Sequence, residues 1–175
     1  MSIVVSASGT AADIPVLPPI NNPNNTSIAA ALPFQRWASN DPRATEVIDI
    51  DADPAFGLRA IRGLRVFRAP VAGAWLLGAN LGVRLKDDNE GGQSRVVIFK
   101  RSAAGIVRLA QESTLQDAGG AGRTCNEAVV TLAELAEGDQ VFVAVSANRQ
   151  LECYAQAENA FFASLQTAAA LVPIV

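Results

Sequence analysis

The sequence predicts an all-β, two-sheet antiparallel sandwich, and three observations predict it. From Phe34 onward, apolar stretches of strand length recur between turn signals, the rhythm of a sandwich or barrel. Several stretches alternate: Ile48 and Ile50 fall on one side of a strand with Asp49 and Asp51 on the other, and Val141, Val143 and Val145 share one face. The breaks between stretches carry residues that end ladders, such as Ala69-Pro70, Gly91-Gly92, Gly119-Gly120 and Glu137-Gly138-Asp139.

Taken in order, residues 1–33 read as an extended arm. Pro15, Pro18, Pro19, Pro23 and Pro33 punctuate an Asn-rich run, and proline removes amide donors while biasing its predecessor toward extended geometry. Within the arm, Ile14, Val16, Leu17 and Ile20 are apolar enough to anchor on a neighbouring surface, although a merely tolerated terminus is equally open. Strands are then expected near residues 34–38, 45–50, 58–67, 74–85, 94–100, 106–113, 128–135, 140–147 and 160–166. The stretch Val130–Glu137 is rich in helix formers, and its place between strands outweighs that local propensity. One-sided strands imply outer sheet faces open to water. The apolar end Ala168–Val175 is expected to pack on this subunit or another.

Composition narrows the function. The 175 residues are 50% apolar and only 18% charged, enough for one domain with a sizeable core and with apolar surface left for a partner. A net charge of -3 and a pI near 4.9 speak against a nucleic acid partner. No window approaches a membrane span, and the first residues lack a signal-peptide pattern. The chain therefore reads as soluble and made in a cytoplasm, with export by another route or a removed leader also open. Cys125 and Cys153 form no CxxC pair and there is no histidine, so a Cys/His zinc site cannot be built in one subunit. A disulfide between the two is open, and two buried free thiols are favoured over it.

The order of motifs carries a resemblance. The run Val66-Phe67-Arg68-Ala69-Pro70-Val71-Ala72-Gly73-Ala74-Trp75-Leu76-Leu77 resembles the C1q-domain passage from a phenylalanine strand through a proline-glycine corner into an aromatic-led core strand. Val130-Thr131-Leu132 followed by Gly138-Asp139-Gln140-Val141-Phe142-Val143 is similar to the family's penultimate hairpin, and Ala160–Leu165 to its final core strand. Across residues 34–166 the chain thus resembles the C1q/TNF-like jelly rolls. The resemblance implies a ten-stranded, two-sheet jelly roll that associates as a compact trimer. Residues 1–33 and 167–175 stand outside it as arm and tail.

Candidate chemistry is sparse. Without histidine there is no Ser-His or Cys-His pair, so no catalytic residue, enzyme activity or cofactor is assigned. Asp49-Ile50-Asp51-Ala52-Asp53 imitates the opening of a calcium loop, but Pro54 stands where glycine is needed and Ala60 where the bidentate glutamate belongs. Acids on the wet side of a strand explain it better. The acidic loop Lys86–Gly92 receives no ligand either. Trp37, Phe67, Trp75, Phe99, Phe142, Phe161 and Phe162 are expected to fill the core or a subunit interface rather than a pocket. Phe161 and Phe162 are the trimer-interface candidates: neighbours in a strand face opposite sides, so one enters the core and the other needs a second apolar surface.

The expected function is therefore that of a non-enzymatic homotrimer in a virus-like particle, a phage capsid decoration or fibre knob. Its arm would hold a shell protein, and it would be made in the host cytoplasm and assembled into the virion. A secreted or surface C1q-like module binding protein or glycan through apical loops is the alternative.

Overall fold

The computed structural model describes residues 2–10, 14–16, 30–85, 92–116, 124–147, 151–153 and 159–166. These form thirteen strands and no helix: β1 (Val4–Thr10), β2 (Ile14–Val16), β3 (Ala30–Ala31), β4 (Phe34–Ser39), β5 (Thr45–Ile50), β6 (Ile61–Arg68), β7 (Gly73–Leu85), β8 (Gly92–Ser102), β9 (Gly105–Gln116), β10 (Thr124–Leu135), β11 (Gln140–Ala147), β12 (Leu151–Cys153) and β13 (Ala160–Leu165). All nine strands expected from the sequence are present, including β10 where helix formers accumulate. There the cross-strand ladder wins: β10 pairs with β7 without interruption from Thr124↔Arg84 to Leu135↔Gly73.

Two antiparallel sheets result. The first runs β4-β1-β13-β7-β10, with β12 following β13 along the same flank of β7 and β2 added outside β12. The second runs β5-β6-β11-β8-β9. In it, β6 leaves β11 after Val141, and β3 takes up the ladder at Ala144 and Val145. Leaving aside the short β2, β3 and β12, ten strands stand five to a sheet.

Between the sheets lies a core of strictly alternating side chains: Trp75, Leu77, Ala79, Leu81 and Val83 from β7 face Val96 and Ile98 from β8 and Val141, Val143 and Val145 from β11. Phe67 and Trp75 meet at 4.9 Å between ring centroids, and Phe161 packs against Phe34, Trp37 and Phe67 at 6.1–6.4 Å. Tilted contacts of this kind suit the charge distribution of aromatic rings.

Two expectations are corrected. The segment 1–33 is not an arm throughout, because β1 is an interior strand of the first sheet between β13 and β4, with Val5 and Ala7 buried. The run Val5–Ser8 alternates apolar and small polar residues, and that pattern outweighs the prolines that follow it. The second sheet's outer face is also not open to water on its central strands. Val97, Phe99, Phe142 and Ala144 form a second apolar cluster with Ile48, Ile50, Leu58 and Leu64. Phe56, from the turn after β5, stands edge-on to Phe99 at 5.3 Å. Consequently β11 is buried on both faces, from Val141 to Ser146. The C-terminal tail, 167–175, lies outside the described residues.

Candidate functional site

The outer face of the first sheet is the surface the strands leave exposed and apolar. Register places Leu132, Leu76, Ser164 and Val4 in one row across β10, β7, β13 and β1. The adjacent row is Val130, Gly78, Phe162, Ser6 and Ala38. Leu132 is 63% exposed, Val130 60%, Val4 48% and Phe162 38%. The next row, Ala128, Asn80, Ala160, Ser8 and Arg36, is small or polar. Charge reaches the margins in Arg36 and Glu134, and the centre is apolar and small. Monomeric surfaces seldom gather apolar side chains this way without a partner.

Phe161 and Phe162 divide as neighbours in a strand must. Phe161 is buried between the sheets, which removes it as an interface candidate, and Phe162 stands on the outer face. The Phe162 ring lies over Gly78, where an added Cβ would run into its Cε1 and Cζ atoms. Glycine in the middle of a long strand weakens it, and here the ring covers the bare backbone.

The remaining sequence candidates scatter. Ile14 and Val16 lie in β2 and pair through their backbone with Cys153 and Leu151 of the same chain, whereas Leu17 and Ile20 fall outside the described residues. The three acids of the calcium-like stretch have separate structural partners. Asp49 accepts the Gly63 amide at 2.9 Å, beside the register shift between Ile48 and Ile50. Asp51 pairs with Arg62 at 2.8 Å, and Asp53 accepts the Ala55 amide at 2.9 Å. Among the described residues no three His, Cys, Asp or Glu side chains gather as metal ligands. Most of the Lys86–Gly92 loop is outside the described residues.

Cys125 and Cys153 both stand opposite Val83, on either side of β7. Two strand spacings, roughly 9–10 Å, therefore separate their Cα atoms, beyond the ~7 Å reach of a disulfide.

The electrostatics reveal a residue the sequence reading missed. Glu127 on β10 points between the sheets and is 1% exposed. Burial pushes its carboxyl up to about 7, against the lowering effect of a hydrogen bond from the Ser94 hydroxyl and with a further push from Glu112. Alternation in β10, where Glu127, Val129 and Leu135 share the buried side, is the signal that could have found it. By contrast, Asp41 is held below the usual carboxylate range by hydrogen bonds from Arg43, in the exposed turn between β4 and β5.

No family model matches the sequence, and no curated protein matches it. Among solved structures the chain is similar to Eiger TNF from S. frugiperda, with a TM-score of 0.59 and 15% identity, over 99% of this chain and 96% of that one. A likeness at that identity speaks to architecture, and it agrees with the strand order and alternation described above. The chain is a two-sheet antiparallel jelly roll of the C1q/TNF-like type.

Proposed function

We propose that the chain is a non-enzymatic, homotrimeric structural module whose subunits meet through the outer face of the first sheet. The observation that carries this reading is the cluster of exposed Val4, Val130, Leu132 and Phe162 around half-buried Leu76, on a sheet whose opposite face already fills the core. Burying such surface is favourable by about 25 cal/mol per Å², and a permanent assembly needs roughly 2,000 Å² or more per interface. The serines between these side chains, Ser6 and Ser164, let a second backbone approach closely. Phe162→Asp puts a charge at the centre of the face without touching the core, so light scattering should report folded monomers at micromolar concentration. An intact Phe162→Asp trimer would count against this surface.

We further propose that the trimer decorates a virus-like particle, as a capsid decoration or fibre knob made in the host cytoplasm, with Leu17 and Ile20 as the shell-facing anchors. Ile14 and Val16 are already committed to the sheet edge, which leaves the later half of the Pro/Asn-rich segment for that task. Three such anchors on one trimer would act together through effective concentration. The double variant Leu17→Ser/Ile20→Ser should keep its oligomeric state and lose attachment to shells encoded beside it. Undiminished attachment would sink the anchoring role.

A further inference from the structure

Glu127 lies at the end of the sandwich where β7 stops, β8 begins and β10 begins, and its side chain crosses from the first sheet to the second. One carboxyl oxygen, Oε1, accepts the Ser94 hydroxyl of β8, while Oε2 is buried without a hydrogen-bond partner. A charged carboxylate in that position would leave its orphan oxygen among Leu81, Val83, Val96 and Val129, all buried. Burying an unpaired charge in apolar surroundings is among the costliest arrangements in a protein.

We propose that Glu127 is a pH-responsive latch: protonated, it lets β10 close on β8 with Oε2 buried, and ionised, it loosens this end of the sandwich even though the Ser94 hydroxyl still donates to Oε1. Of the groups facing Glu127, only the Ser94 hydroxyl favours the charged form. From β9 the nearest charge is Glu112, also acidic, opposite Val96 in the β8–β9 register. From β8 comes only the Ser94 hydroxyl, and β7 presents Leu81 directly opposite. On β10 itself the nearest titratable residue is Cys125, two positions earlier. Among the described residues, no lysine or arginine contributes to holding the charge.

The sign follows from where the proton sits. With a folded value of about 7 against an ordinary 4.5, the folded chain keeps a proton that the unfolded chain has already released between those values. The stabilisation is complete below pH 4.5 and is lost as pH rises toward 7, levelling above it.

The test is thermal unfolding of the full chain from pH 5 to pH 8.5, with Glu127→Gln and Ser94→Ala beside the native sequence. The native chain should lose roughly 5–10 °C of Tm across the window, scaled from the usual dependence of Tm on stability. Glu127→Gln keeps the shape without the titration and should flatten that fall. Ser94→Ala removes the donor that favours the charged form and should move the midpoint to higher pH. Infrared difference spectra of the native chain provide a readout independent of how the variants fold. A protonated carboxyl band present at pH 5.5 and gone by pH 8.5 is expected, with amide exchange rising at residues 92–96 and 124–129 over the same range. Parallel pH profiles for the native chain and Glu127→Gln, or no carboxyl band titrating above pH 5.5, would overturn the latch.

Discussion

At the scale of single residues, the pair Phe162 and Gly78 concentrates the argument about the exposed face. The ring covers a glycine because nothing larger fits beneath it, so Gly78→Val should lift the ring from the sheet. Displacing one packed aromatic costs about 1–3 kcal/mol in comparable repackings, and in a trimer that loss appears in every subunit. A higher dissociation constant by sedimentation is the expected outcome, and an unchanged one would mean Phe162 does not pack between subunits. The division between Phe161 and Phe162 was legible in the sequence, because adjacency in a strand forces it. Which of the two faces inward was not legible, since that depends on the register of β13 against β7 and β1. Glu127 was hidden for a related reason: in a stretch rich in acids and alanines, nothing local distinguishes an inward glutamate from an exposed one.

At the scale of elements, the turn joining β10 to β11 shows how a motif read from sequence acquires a mechanism. Gly138 takes φ +89°, and Asp139 Oδ2 accepts the Ala136 amide at 2.9 Å while standing 3.5 Å from Lys100 Nζ. The Gly138 amide also donates to the Ala69 carbonyl, and the Ala69 amide to that of Asp139, each at 2.8 Å, tying the turn to the proline corner. Asp139→Ala should therefore cost about 1–3 kcal/mol by urea unfolding, since it orphans an amide and a half-buried ammonium. A change below a few tenths would mean the backbone ties suffice. The strand β1 teaches the opposite lesson. Its alternation was present in the sequence, but five prolines nearby and an Asn-rich run made composition the stronger voice. Because Val5 is fully buried between β13 and β4, deleting residues 2–10 should leave the chain insoluble, whereas removal of a true arm would be tolerated. The register of β10 and β12 about Val83 likewise predicts no bond between Cys125 and Cys153. The intact mass should be the same with and without reductant, and a loss of two hydrogens without reductant would contradict that register.

At the scale of the whole molecule, one sheet is roofed and the other is bare. The outer side of β8 and β11 is closed by Phe56, Leu58 and the β5–β6 hairpin, whereas the outer side of β7, β10 and β13 carries exposed valine, leucine and phenylalanine. The sequence displayed the strands and their turns, because those follow from short-range alternation and ladder-breaking residues. It did not display this asymmetry, which depends on how a long turn folds back across a sheet. The proposed trimer would cover the apolar outer face, and mass in solution is the property that decides it. Light scattering on the purified native chain at micromolar concentration should give three times the 18.3 kDa chain mass, and a clean monomer would contradict the assembly proposed for the bare sheet.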